Sequence, residues 1–166
     1  MANFLQINTG CRLAEIVGLS KNDINLENAP PYITIRSHPW RRLKSITSER
    51  FIPLVGASLW AAQRALENCD GQFIFSRYIT SDFKNNKATH ASNSLNKWLG
   101  TLVIGKTTHS FRHALADRLR NADCPEEVVA EILGHSRSGM TKNYGKGFSL
   151  EVKQKWLAKI IADSEL

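Results

Sequence analysis

The segment Thr108-His109-Ser110-Phe111-Arg112-His113-Ala114-Leu115-Ala116-Asp117-Arg118-Leu119-Arg120 decides how this chain is read. Its pattern predicts a helix over 108–120, capped by Thr107 or Thr108. On a helical wheel Phe111, Ala114, Leu115 and Arg118 fall on one side, and His109, Arg112, His113 and Ala116 on the other. His109 and Arg112, three apart, therefore project together, opposite most of the apolar stripe. A helix N-terminus favours an anion, and an arginine and a histidine beside it make a phosphate site. Taken alone, a solvated polar helix face is the simpler reading of the same residues.

Working outward, Cys124-Pro125-Glu126-Glu127 opens another helix, with proline near its first position and acids in its first turn. Gly134 suits a left-handed stop after Leu133, which throws His135 outward. Nine residues on, Tyr144 stands in the polar run Thr141-Lys142-Asn143-Tyr144-Gly145, where a tyrosine has little packing reason to be. Upstream, 11–18 continues a helical pattern with Leu13, Ile16 and Val17 apolar. Tyr32-Ile33-Thr34-Ile35 is a β-branched run after Pro30 and Pro31, and Arg50-Phe51-Ile52-Pro53-Leu54 is a further short strand. Together they suggest a small antiparallel sheet. Further helices are expected at about 58–68, 92–99, 125–133 and 150–161.

With 166 residues and 42% hydrophobic content, the chain fits one domain with a real core. No apolar run approaches the roughly 18 residues a membrane span needs. The start MANFLQINTG lacks a basic patch followed by an apolar stretch, so no secretory signal is expected. Cys11, Cys69 and Cys124 are odd in number and widely spaced, which argues against a disulfide framework or zinc ribbon and fits a reducing cytoplasm. The net charge of +7 and pI near 9.5 favour a polyanionic partner, a weak signal by itself.

Order and spacing make these pieces specific. H-x-x-R at 109–112, L-G-H at 133–135 and the tyrosine at 144 resemble the active-site signature of the tyrosine recombinase (phage integrase) family. Thr9-Gly10-Cys11-Arg12-Leu13-Ala14-Glu15 resembles that family's first arginine box, T-G-x-R-x-x-E. Lys44-Ser45-Ile46-Thr47-Ser48-Glu49-Arg50-Phe51-Ile52-Pro53-Leu54 resembles its hairpin lysine segment, K-x-x-x-S-x-R-x-[VI]-P-L. The resemblance spans nearly the whole chain. It implies a mainly helical α+β fold, a helical bundle with a small three-stranded antiparallel sheet.

The resemblance also implies a mechanism. Tyr144 attacks the scissile phosphate, leaving a 3′-phosphotyrosine and a free 5′-hydroxyl. Arg12 and Arg112 hold the non-bridging oxygens, since the planar guanidinium donates paired hydrogen bonds and stays charged. His135 donates to the same oxygens, His109 accepts the tyrosine proton and Lys44 is the general acid. Glu15 orients active-site groups or is a plain surface carboxylate. Neither metal nor ATP is needed, and no cofactor is expected. Arg41, Arg42 and Lys142 are expected to contact DNA phosphates. The family acts as a homotetramer on two duplexes, with room for accessory DNA-bending or directionality proteins. The apolar face of 150–161 (Leu150, Val152, Trp156, Leu157, Ile160) either docks on a neighbouring subunit or packs on its own core. The expected setting is a prophage or mobile element, in the cytoplasm and nucleoid-associated when DNA-bound.

Two departures from the pattern stand out. Only eleven residues precede Arg12, where the family has a few dozen, and the separate N-terminal DNA-binding domain has no counterpart. The whole of 1–166 is therefore expected to be a catalytic domain truncated at its N-terminus. The run His38-Pro39-Trp40-Arg41-Arg42-Leu43 before Lys44 is atypical of the family's hairpin segment. Three rivals are a type IB topoisomerase-like enzyme, a non-catalytic DNA-binding module, and a zinc site at His109 and His113. The last lacks the glutamate of H-E-x-x-H, position 110 being serine.

Overall fold

The computed structural model describes residues 1–45, 48–135 and 147–162. Seven helices appear among them: α1 (Ala2–Thr9), α2 (Leu13–Val17), α3 (Gly56–Glu67), α4 (Ala88–Leu102), α5 (Thr108–Asn121), α6 (Glu126–Leu133) and α7 (Leu150–Ala162). Three strands, β1 (Ile24–Asn25), β2 (Tyr32–Ile35) and β3 (Arg50–Pro53), form one antiparallel sheet in sequence order. This is the mainly helical α+β arrangement that the motifs imply.

The sheet obeys the two-residue period of a half-covered surface. Ile33 and Ile35 of β2 point inward and are fully buried, and Ile33 sits opposite the equally buried Ile52. Tyr32 and Phe51 face outward and meet edge to face, ring centroids 5.6 Å apart. The inward face joins Leu5, Ile16, Leu19, Leu115, Leu119, Ile132 and Leu133 in one core cluster. The α7 helix adds Leu157 and Ile160 to that cluster and packs along β3 and α5. Of the two readings of 150–161, packing on this chain's own core is therefore the one observed.

Three differences from the sequence reading have physical causes. The first is α1, which hydropathy does not announce. It packs against both α3 and α5, so Asn3, Gln6, Asn8 and Thr9 are buried beside Leu5 and no polar stripe is left to define its faces. The second is α5, which buries Thr108, Arg112, Leu115, Ala116 and Leu119 and exposes Ala114. Arg112 and Ala116 thus lie on the inner side, contrary to the wheel.

The third difference is Arg41, expected to touch DNA phosphate and instead fully buried. Its Nη2 lies 3.2 Å from Asp23 Oδ2, its Nη1 donates to the Glu15 carbonyl at 3.0 Å, and Nε and Nη2 donate to the Arg36 carbonyl at 3.1 and 2.8 Å. The stem lies against Gly18, where a Cβ would come within 2.8 Å of Arg41 Cδ. Four of its five N–H donors are so committed and the side chain is fully buried, so it is out of reach of a phosphate. Its neighbour Arg42 is exposed.

Asp23 is the hub of this cluster. It also accepts from the Ser20 amide at 3.0 Å and from Arg36 Nε at 2.9 Å, and it contacts His38 Nε2 at 3.0 Å. Burial alone would raise its carboxyl, but the Ser20 N–H, Arg41 and His38 outweigh that and hold it below its ordinary value of 3.8. The depressed value belongs to the folded state, so the stability it brings is complete above about pH 4 and is lost as pH falls through the folded value. Asp23→Asn is expected to cost about 3–5 kcal/mol in urea unfolding at neutral pH, because it leaves Arg41 buried without its counter-charge. The loss should shrink toward low pH, where the wild type also loses its carboxylate. A pH-independent difference would contradict this account.

Candidate active site

The first arginine box occupies the turn between α1 and α2. Gly10 ends α1 in the left-handed region (φ +61°), and a Cβ there would lie 2.6 Å from Leu133 Cδ2 and 2.8 Å from Leu115 Cδ2. Only glycine lets the turn approach α5 and α6 this closely. Arg12 is then the N-cap residue of α2. Glu15, one turn on, accepts the Arg12 amide at 2.8 Å and Arg12 Nη1 at 2.9 Å.

Glu15 is buried and also bridges to Arg50 on β3, whose Nη2 lies 2.9 Å from Oε2 and Nη1 3.3 Å from Oε1. Burial alone would raise the carboxyl, but Arg50 foremost, with Arg12, holds it below the ordinary carboxylate range. The orienting reading of Glu15 is thus the one its contacts support; it is no surface carboxylate.

Two guanidiniums close the site from below. Arg112 donates through Nη1 to the Gly10 carbonyl and through Nη2 to the Leu133 carbonyl, both at 2.6 Å. Arg50 donates through Nε to the Ile132 carbonyl at 2.8 Å and through Nη1 to the Ser48 carbonyl at 2.7 Å. Gly134 caps α6 at φ +68°, and a Cβ there would sit 2.7 Å from Arg50 Nη1. The exposed His135 follows, its own amide donating to the Ala130 carbonyl at 2.8 Å.

The electrostatics show how tightly this group is drawn together. Burial, then Arg12 and Arg50, push the Arg112 guanidinium down to about 10, which leaves it charged at neutral pH. Burial, then Arg112 and Arg12, lower His135 below its ordinary value. His109 is lowered by burial, by His113 and by the same two arginines. Both rings are therefore neutral at pH 7, each with one nitrogen able to accept and one able to donate. His109 lies edge to face with His113 at 4.7 Å. It also lines a cleft of about 350 Å³ with Gln6, Leu13, Ala88, Thr89, Ser92, Asn93 and Thr108.

The structure thus brings Arg12, Glu15, His109, Arg112 and His135 to one place. Lys44 is exposed on the connection between β2 and β3, and among the described residues no hydrogen bond or ion pair joins it to this group. Tyr144 and Lys142 lie outside the described residues.

Sequence reasoning assigned no role to Arg50, although the motif contains it; a basic residue at the head of the apolar strand run Phe51-Ile52-Pro53-Leu54 was the available signal. Gln6 was missed altogether. Its Nε2 donates to the Cys11 carbonyl at 3.1 Å and steadies the turn that presents Arg12. Arg50→Met is expected to lower stability by about 3–5 kcal/mol, because Glu15 stays buried without its main counter-charge. Adding Glu15→Met should restore a large part of that loss. Strictly additive losses in the double-mutant cycle would show that the two residues do not act as a pair.

The profile of the phage integrase family matches residues 2–148. The chain is 25% identical over 159 residues to transposase B from transposon PsiTn554 of Staphylococcus aureus, covering 89% of this chain and 24% of that protein. It is 26% identical over 148 residues to the tyrosine recombinase XerC of Neisseria gonorrhoeae, covering 86% and 45%. Against the transposase from transposon Tn916 of Enterococcus faecalis it is 28% identical over 160 residues, covering 83% and 39%. The chain therefore spans less than half the length of these relatives. Among solved structures, the Tn1549 transposon integrase in complex with circular intermediate DNA superposes with a TM-score of 0.63 at 21% identity, over 96% of this chain and 58% of that one. XerA recombinase gives a TM-score of 0.61 at 18% identity, over 93% and 55%. These likenesses establish a shared fold.

Proposed function

This chain belongs to the phage integrase family, and from that premise we propose that it is the catalytic domain of a site-specific DNA recombinase of a mobile element. The observation that carries the reading is the convergence of Arg12, Arg112, His109 and His135 on one small surface. Two guanidiniums and two neutral imidazoles suit a phosphodiester whose negative charge grows during attack. The substrate is double-stranded DNA, in keeping with a net charge of +7 and with a structural neighbour solved on DNA. Arg42 and Lys142 are the remaining candidates for phosphate contacts along the duplex.

In the reaction, the Tyr144 oxygen attacks phosphorus and the bond to the 5′-oxygen breaks. The tyrosine proton passes to His109, which is neutral and able to take it. The departing 5′-oxygen takes a proton from Lys44, which stands exposed on the connection between β2 and β3. Arg12 and Arg112 bind the non-bridging oxygens, and the neutral His135 ring adds one N–H. Because a phosphate ester replaces a phosphate ester, the bond energy is kept and no nucleotide is consumed. A 5′-hydroxyl from a partner strand reverses the step and completes strand exchange. Four subunits on two duplexes are the assembly this chemistry requires for reciprocal exchange. With Leu157 and Ile160 buried at home, α7 offers such an assembly its outer side, including the partly exposed Val152.

Label transfer tests the reading: nicked DNA labelled on the strand that becomes linked should leave label on the protein in a denaturing gel. Tyr144→Phe should abolish the labelled band while DNA affinity and folding stay unchanged. Arg12→Ala should slow adduct formation about 10²–10³-fold, the usual cost of losing one donor to a developing oxyanion. A labelled Tyr144→Phe protein would end the proposal. Adduct formation should also fall as pH drops from the ordinary histidine value of 6.5 through the lower folded value of His109, since a protonated ring cannot accept the tyrosine proton. A rate that stays flat across that window would remove His109 from the role.

A further inference from the structure

The run His38-Pro39-Trp40-Arg41 forms a closed turn, in which His38 and Arg41 exchange backbone hydrogen bonds of 3.0 Å in both directions. Two of its side chains grip the C-terminal end of α2. Arg41 Nη1 donates to the Glu15 carbonyl and Trp40 Nε1 to the Gly18 carbonyl, each at 3.0 Å. Carbonyls at a helix end have no partner within the helix, so a donor from outside fixes them. The turn is itself anchored on its far side. Arg41 Nη2 lies 3.2 Å from Asp23 Oδ2, and the Trp40 ring stacks on His38 with centroids 4.5 Å apart. Phe73 meets the same indole edge to face at 4.9 Å, and Asn86 Nδ2 donates to the Trp40 carbonyl at 3.1 Å.

We propose that Arg41 and Trp40 are positioning residues, which hold the tail of α2 and through it the placement of Arg12 at its head. The proposal rests on the functional reading above, in which Arg12 binds a non-bridging phosphate oxygen. The α2 helix has five residues, too few to be stable alone, so its direction is set by whatever holds its two ends. Five residues rise about 7.5 Å. Over so short a lever a shift of the tail reaches Arg12 almost whole, and an error near 1 Å costs about 10²-fold in a reaction that depends on alignment. At the head, Glu15 accepts both the Arg12 amide and Arg12 Nη1, so the guanidinium moves with the helix. Glu15 is thus held twice, its carboxylate by Arg50 and its carbonyl by Arg41. A buried ion pair is a poor source of stability, since apolar packing of the same volume does as well. What Arg41 adds is direction. Its stem fills the space beside Gly18, where a Cβ would come within 2.8 Å of Cδ, and leaves the helix end no room to slide.

The test compares wild type, Trp40→Phe, Arg41→Lys and Arg12→Ala, and each of the first two substitutions combined with Arg12→Ala, in the full chain on nicked DNA. It measures the single-turnover rate of covalent adduct formation, DNA affinity by anisotropy, and thermal stability. Trp40→Phe removes the indole N–H and keeps a ring against His38 and Phe73. Arg41→Lys keeps a charge beside Asp23 but has one nitrogen where the guanidinium uses three. With Arg12 in place, each should slow the covalent step about 10–100-fold, with DNA affinity unchanged. In the Arg12→Ala background neither should slow it further, because no guanidinium is left to misplace. Equal slowing in both backgrounds assigns the two residues to the fold at large and overturns the proposal. Wild-type rates in the folded variants overturn it too, as does a loss of DNA affinity in step with rate. If Arg41→Lys does not fold, Trp40→Phe decides. No adduct from wild type, or an undiminished rate from Arg12→Ala, removes the functional reading and this inference together. A reactive wild type and a slow Arg12→Ala, with Trp40→Phe indifferent, remove the inference alone.

Discussion

The last carbonyls of α6 are held by two buried guanidiniums, and the site is built on that contact. A helix ends with carbonyls that have no partner of their own and with a partial negative charge. Here the Ala130 and Glu131 carbonyls take the amides of His135 and Gly134, as a glycine-capped helix allows. Ile132 and Leu133 instead receive Arg50 from the sheet and Arg112 from α5. Three elements distant in sequence are joined at one helix end, and the helix end stabilises the cations that join them. Glu15 supplies the remaining counter-charge, balancing Arg50 most directly. Arg12 keeps part of its surface toward solvent, so positive charge remains available to an incoming anion.

This construction separates two tasks that sequence motifs run together. Arg112 spends two hydrogen bonds on backbone carbonyls, and only what is left of its guanidinium can face a phosphate. It is as much a strut as a ligand. Arg12 is held in place through Glu15, and Glu15 through Arg50, so two side chains fix one donor. So held, Arg12 presents a fixed positive charge that needs no rearrangement to meet an anion.

The motifs at 9–15, 109–112 and 133–135 made the fold and five residues of the candidate site legible, because their spacing reflects helix ends that must meet. The rest was hidden for definable reasons. Hydropathy cannot reveal α1, since its buried amides of Asn3, Gln6 and Asn8 look like surface. A helical wheel places arginine outside because it sees charge, whereas Arg112 goes inward to carbonyls contributed by chain far away in sequence. Arg41 misled in the same way. A run of basic residues after an aromatic suggests a nucleic-acid contact, but Asp23, 18 positions upstream, claims the guanidinium for the interior. In each case an acceptor remote in sequence decided the outcome.

The Cys11 thiol sits at the centre of this arrangement, fully buried, with Arg50 Nη2 donating toward its sulfur at 3.7 Å. Burial pushes its ionisation up to about 11 despite the neighbouring arginines. A thiol reacts as thiolate and only where a reagent can reach it. Alkylation of Cys11 must therefore wait for the turn between α1 and α2 to part from α6, which makes its labelling rate a clock for that local opening. The protein carries, in the middle of its candidate site, a native chemical stopwatch for how often the fold there comes apart.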